Sequence, residues 1–529
     1  MGKVHVVDVT LRDGGCVIDF NFGDKNMQTI LDGLNASKVD CIEVGYINET
    51  KGTVSGRTQF KNERVIVDSL LQGKKKKATY LAMIDYGTFD VAKLEHQDES
   101  GIDGIRFAFH KKDFRKIGEI GRTIIDKGYQ FFVQPMLTLR YSDRELLELI
   151  ELVNQELPDV SGFYIVDSFG EMRYNDVIRA LNLVDNNLNK NIPVGFHSHN
   201  NLQLSYANAI SVLQFPTTRD IYLDSSIMGM GKGAGNLISE LLLGHLNLYY
   251  QKNYEISPLL NVIDTVLDGI HATSYWGYSA EYYLSAINHC TPSYARHFHC
   301  KHMLPINEIA ELLAKIEETK KISFDKNYAD EIYHNYLFRP VDDSETIQNL
   351  TEIFGQKKVL VLAPGRSIED EREKILNYIS TNDVIVLSIN AIHKQIPCDY
   401  VFISNRRRYK SFCEVAKDTD TVPLICTSNV PLKMGQAYLI NYADYTCNDP
   451  VIESNAGMMA LNLMLKLGVK SIVLAGFDGF GFERHAEDAP PDPMTGEEWK
   501  RLNKSISTHI RTIEHKATVE FLTKSGYCI

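Results

Sequence analysis

The chain has 529 residues, 44% of them hydrophobic and 23% charged, with a formal net charge of −12. That length exceeds one ordinary domain, so two or three are expected, and the acidic balance excludes a general nucleic-acid binder with a basic face. No apolar stretch reaches membrane-spanning length, and Met1-Gly2-Lys3-Val4 runs straight into strand pattern, so a cytoplasmic protein without a secretory signal is expected, its nine scattered cysteines reduced.

From residue 4 to about 250, short apolar runs alternate with amphipathic stretches. The runs predict strands over 4–11, 41–47, 78–84, 104–109, 130–139, 162–169, 192–199 and 221–227. Apolar residues at helical spacing lie between them, as in 143–155 and 174–188. Strand–helix alternation implies a parallel sheet with right-handed crossovers, and eight strands in this length match a closed (β/α)8 TIM barrel. The polar link over 50–62, rich in Gly, Thr and Ser, reads as a mobile loop at one barrel end. Residues 257 to about 350 lack strand pattern and read as helices rich in Tyr and His. A second alternating region starts at 357–362 and continues with strands over 384–389, 400–403, 422–426 and 471–475. The expected domains are therefore a barrel (1–256), a helical extension completing its site (257–354) and a Rossmann-like α/β nucleotide-binding domain (355–529).

The first strand ends in Thr10-Leu11-Arg12-Asp13-Gly14-Gly15, and the seventh in His197-Ser198-His199. Residues two apart on a strand face the same way, so the two imidazoles stand side by side. In a barrel the C-terminal strand ends build the site. There, one carboxylate and two imidazoles leave open positions on a divalent ion for a substrate. The plainer alternatives are a pair of core histidines and a rim salt bridge between Arg12 and Asp13. After the eighth strand comes Gly229-Met230-Gly231-Lys232-Gly233-Ala234-Gly235-Asn236, opening an apolar helix. Glycines so spaced allow close backbone approach and bare a helix N-terminus to an anion, with Asn236 a possible cap. Glu43 and Asp167 fall at strand ends on the same mouth, as groups that orient ligands or as rim charges.

Together, Thr-Leu-Arg-Asp-Gly, His-x-His and Gly-x-Gly-x-Gly-Ala-Gly-Asn resemble the metal-dependent pyruvate-aldolase and acyl-lyase superfamily of hydroxymethylglutaryl-CoA lyase and 4-hydroxy-2-oxovalerate aldolase, over roughly 1–300. The resemblance implies Asp13, His197 and His199 as ligands of Mn²⁺, Mg²⁺ or Zn²⁺, with Asn236 as a fourth. It implies Arg12 as the group stabilising the enolate of a 2-oxo acid, and Tyr278 as a residue lining the site. Where those aldolases carry a histidine base this chain has Cys16, either a proton-transfer thiolate lowered by the cationic centre or a small space-filling side chain.

In the C-terminal region, Leu362-Ala363-Pro364-Gly365-Arg366-Ser367, Leu387-Ser388-Ile389-Asn390, Ser454-Asn455-Ala456-Gly457 and Leu474-Ala475-Gly476-Phe477-Asp478 resemble bacterial sialyltransferase and pterin diphosphokinase-like domains. That resemblance implies a nucleotide, CMP or CTP first and adenine nucleotides next, held by Gly365, Ser367, Asn390, Ser454 and Gly457. A non-catalytic α/β module is the alternative. The lysine run 74–77 and the arginine run 406–408 read as solvated charges, the arginines alternatively as phosphate contacts. Cys290, His297, His299, Cys300 and His302 invite a zinc reading without standard spacing, against packing and surface roles.

The reading is a metal-dependent carbon–carbon lyase acting on a 2-oxo acid and an aldehyde or sugar, in a homo-oligomer, with nucleotide-linked polysaccharide precursors as the context. An acyl-CoA condensing enzyme and a non-catalytic regulatory module are the alternatives.

Overall fold

The computed structural model describes residues 2–73, 76–98, 101–301, 303–393, 395–415, 422–432, 437–481 and 496–527. By compactness the chain forms two units, Met1–Arg296 with Glu317–Phe324, and His297–Ile316 with Asp325–Ile529. The helical stretch that the sequence sets apart over 257–354 is shared between them.

The first unit is a closed parallel barrel. Its strands are β1 (Val4–Asp8), β2 (Cys41–Ile47), β4 (Thr79–Asp85), β5 (Gly104–Phe109), β6 (Gln130–Pro135), β7 (Gly162–Asp167), β8 (Val194–Ser198) and β9 (Ile221–Ser225). They neighbour one another in the order β1-β9-β8-β7-β6-β5-β4-β2, and a β1–β2 pairing closes the ring. All eight expected strands are present in sequence order. The two-residue strand β3 (Gln59–Phe60), inside the segment read as a loop, adds to the end of β2. It is too short to stand out from its polar flanks. The first strand stops at Asp8 rather than residue 11 because the Asp8 carboxylate accepts the Thr10 N–H at 2.9 Å and turns the chain.

Val7, Val9, Cys41, Leu81, Phe132, Tyr164 and Val166 fill the barrel interior, a packed core rather than a pore. Helices cover its outside. The helix Asp143–Glu156 starts in a capping box, with Ser142 on the Glu145 N–H and the Glu145 carboxylate on the Ser142 N–H. It buries Leu146, Leu149, Ile150 and Val153 at helical spacing.

In the second unit, helices such as Ile306–Ala314, Lys326–Leu337 and Ser344–Phe354 precede seven parallel strands. These are β10 (Lys358–Leu362), β11 (Val384–Ile389), β12 (Tyr400–Ile403), β13 (Leu424–Thr427), β14 (Ala437–Ile440), β15 (Ser471–Ala475) and β16 (Thr518–Phe521), in the order β14-β13-β12-β11-β10-β15-β16. The five inner strands match the expected runs closely. The edge strands β14 and β16 escape the sequence because their side chains stay half exposed and show no continuous apolar run. Among the described residues no helix is long and apolar enough to cross a membrane.

Candidate metal centre

Asp13 stands in the tight turn after β1, its N–H donating to the Val9 carbonyl at 2.8 Å. His197 pairs in register with Val166, a barrel-interior residue, so alternation aims the imidazole into the lumen. His199, just beyond β8, bridges to Asn236. One ligand atom from each of Asp13, His197 and His199 lies within 4.8 Å of the others, and all three residues are buried.

The hydrogen bonds around them select the atoms that face the centre. His197 Nδ1–H donates to Asp224 Oδ2 at 2.8 Å, and His199 Nδ1–H donates to the Lys232 carbonyl at 3.1 Å. Both rings therefore leave Nε2 for the centre, the atom that binds a cation from the neutral imidazole. Burial pulls His199 down to about 4, so it stays neutral near pH 7. For Asp13, burial opposes ionisation. His199, Arg12 and His197 outweigh it and hold the carboxyl well below the usual carboxylate range.

Asn236 Nδ2 donates to Asp13 Oδ2 at 2.8 Å and to the Met230 carbonyl at 3.0 Å. Its Oδ1 is buried with no partner. An orphaned acceptor beside a carboxylate and two imidazoles fits a divalent cation, which would satisfy all four. Asn236 does not cap the following helix, Ser239–Tyr250, whose N-cap is Ile238.

The glycine-rich turn is what lets these groups meet. A Cβ on Gly231 would stand 2.3 Å from Asn236 Nδ2 and 2.8 Å from Asp13 Oδ2. On Gly233 it would meet Asn201 Oδ1 at 2.7 Å. The close approach read from the sequence is thus made to the site's own side chains.

Arg12 is tied on two sides, Nε to Glu43 Oε2 at 2.6 Å and Nη1 to Asp13 Oδ1 at 2.9 Å. Glu43 is thereby a positioning group. Beneath it lies Arg106, fully buried, with Nη1 at 3.1 Å from Glu43 Oε2, Nη2 on Asp224 Oδ2, and its guanidinium 4.7 Å over the Tyr164 ring. One cation thus anchors both the carboxylate that orients Arg12 and the carboxylate that orients His197. The sequence reading missed Arg106 and Asp224. Their signal was a lone charge inside each of two strands otherwise apolar, Gly104-Ile105-Arg106-Phe107 and Ile221-Tyr222-Leu223-Asp224, since a charge in a buried strand needs a partner.

Other expected residues fall elsewhere. Asp167 accepts the N–H groups of Glu171 and Met172 at 2.9 and 3.0 Å and closes the loop after β7, with burial pushing it up to about 7. The thiolate expected at Cys16 is not what the protein groups favour. Although the side chain opens to solvent, enclosing protein and then the Asp13 charge push the thiol up to about 12, against the opposing Arg12. Tyr278 is 55% exposed on a segment held by the Trp276 indole N–H on the Met228 carbonyl at 2.9 Å.

In the second unit the expected nucleotide contacts are largely engaged within the protein. The Ser367 N–H donates to Asp478 Oδ2 at 2.7 Å, and its hydroxyl bonds Asp478 and Thr523. Gly365 packs against the Gly476 turn, where a Cβ would stand 2.2 Å from the Gly476 carbonyl oxygen. Ser454 and Gly457 flank Asn455, which caps the helix Ala456–Lys466 by accepting the Met458 N–H. Asn390 at the end of β11 keeps a buried, unpartnered Oδ1. Arg406 is neither solvated nor free for phosphate: it is buried, with Nη1 2.5 Å from Glu308 Oε2. His297 pairs with Asp330 at 2.9 Å. Lys74, Lys75 and His302 lie outside the described residues. Among the described residues only Asp13, His197 and His199 bring three ligand-type side chains together.

Residues 3–266 match the HMGL-like family model. Over the same region the chain is similar to 4-hydroxy-2-oxovalerate aldolase of Moorella thermoacetica, 29% identical over 272 residues that span 51% of this chain and 78% of that protein. The enzyme of the same name from Carboxydothermus hydrogenoformans is 29% identical over 269 residues, 50% of this chain and 77% of that protein. Among solved structures, the N-terminal domain of a candidate aldolase from Bacteroides vulgatus superposes with a TM-score of 0.51 at 26% identity, covering 58% of this chain and 99% of that one.

Proposed function

We propose that the first unit is a divalent-metal-dependent carbon–carbon lyase working through the enolate of a pyruvate-like 2-oxo acid. The observation that carries this reading is the convergence of Asp13, His197 and His199 with the orphaned Asn236 Oδ1 at the C-terminal mouth of the barrel. These four residues would hold the ion, with Mn²⁺, Mg²⁺ and Zn²⁺ as candidates for this mixed nitrogen and oxygen donor set. A bound divalent ion would supply Lewis-acid polarisation of the 2-oxo acid.

The chain's own residues do the rest. Arg12, fixed by Glu43 and Asp13, presents a guanidinium to the oxygen on which negative charge grows as the carbon–carbon bond breaks. A donor already held in place costs no reorganisation at that moment. The similarity to 4-hydroxy-2-oxovalerate aldolases supports 4-hydroxy-2-oxo acids as the substrate class, with an aldehyde as the second product.

Metal analysis of the full chain against His197→Ala/His199→Ala tests the centre. After loading and dialysis, the parent is expected to retain about one ion per chain and the variant almost none, as for a site that has lost two of its ligands. Equal metal content in both would sink the reading.

A further inference from the structure

The ladder between β2 and β4 carries a bulge. Glu43 pairs with Leu81, but Gly45 pairs with Ala82 and Tyr46 with Met83, so β2 holds one extra residue between them. An extra residue reverses side-chain alternation beyond it. Cys41 and Leu81 point into the barrel. Without the bulge, Tyr46 would face the outer helices. With it, Tyr46 joins Glu43 on the lumen side, while Val44 and Ile47 pack in the outer core.

The bulge is held from outside by β3. The Tyr46 N–H donates to the Thr58 carbonyl at 2.9 Å. A Cβ at Gly45 would stand 2.4 Å from that oxygen and 2.5 Å from the Phe60 ring. Only glycine admits this approach.

Asp85 ends β4, two residues past Met83 and therefore on the same inward face. The Tyr46 hydroxyl and the Asp85 carboxylate lie close enough for each to act on the other, and the Arg12 charge acts on both. Both residues are half-buried, near the C-terminal ends of β2 and β4. Cys16 lies beside them, within reach of the Asp85 charge.

Resting on the lyase reading above, we propose that Tyr46 and Asp85 form the proton-transfer pair of this site. In cleavage of a 4-hydroxy-2-oxo acid, the C4 hydroxyl gives its proton to the Tyr46 oxygen as Tyr46 gives its own to Asp85. The C3–C4 bond breaks, its electron pair staying on the C3 fragment as the enolate, and C4 departs as an aldehyde. The same proton then returns through Tyr46 to C3, yielding the 2-oxo acid. No oxidant or further reactant is consumed. Burial raises Asp85 above the ordinary carboxylate range, toward the region where a carboxyl exchanges protons near neutrality.

Two reactions of the Mn²⁺-loaded full chain separate this proposal from the lyase reading. Deuterium exchange into the pyruvate methyl group, followed by NMR in D₂O, requires proton transfer at C3. Oxaloacetate decarboxylation breaks a carbon–carbon bond without removing a proton. Asp85→Asn and Tyr46→Phe keep side-chain size, and metal content is read for each. Exchange is expected to fall about 10²-fold or more, the lower end for loss of a general acid–base, while decarboxylation falls by a much smaller factor. Unchanged exchange in both variants overturns the pair, as does an equal fall in the two reactions, which would mark a structural role. A parent that decarboxylates but does not exchange also overturns it. A parent inactive in both reactions overturns the lyase reading itself.

Discussion

Arg106 shows how much of this site depends on a residue that touches no ligand. It is fully buried between Glu43 and Asp224, and through them it fixes both Arg12 and His197. Removing one partner of a buried ion pair leaves an uncompensated charge, at a cost of about 3–5 kcal/mol. Arg106→Leu is therefore expected to lose stability on that scale in urea denaturation and to weaken metal binding about 10–100-fold, the range for groups that orient ligands. A loss below about 1 kcal/mol, the range of a surface pair, would mean the two carboxylates find other partners. The candidate metal-binding residues Asp13, His197 and His199 were legible in the sequence because they close or follow apolar strand runs, where chemistry-bearing side chains interrupt the pattern. Arg106 and Asp224 were not, since a strand run records that a position is buried but not what faces it across the barrel.

Elements were legible where an apolar run is continuous. The eight barrel strands and the five inner strands of the second sheet are buried on both faces and read as such. The bulge in β2 had no such mark, because it is a matter of register between two strands and register is not written in either one alone. The turn from Gly229 to Asn236 was legible as a close approach, but its target needed the structure. Gly231→Ala tests that target. The new methyl would displace Asn236 and the Asp13 carboxylate, so metal affinity should fall about 10-fold or more, measured by titration calorimetry. Unchanged affinity would show that the turn yields without moving either side chain.

At the scale of the whole molecule, alternation along the chain announced two α/β regions, and two compact units are present. Where they divide was harder to read, because residues 297–316 join the second unit while 317–324 return to the first. Helices without strands between them carry no sign of which sheet they serve. The nucleotide contacts expected in the second unit rested on short glycine turns, and such turns serve close packing as readily as phosphate binding. The Gly365 turn illustrates this, for its backbone N–H meets the Gly476 carbonyl and the neighbouring Ser367 N–H meets Asp478. The central claim is that the barrel is a metal-dependent carbon–carbon lyase, and oxaloacetate decarboxylation by the full chain tests it most directly. With Mn²⁺ bound and excess ion removed, turnover should exceed that of free Mn²⁺ at the same concentration, cease on chelation, and be absent from His197→Ala/His199→Ala. No turnover by fully loaded protein, or turnover that survives chelation, would contradict the account.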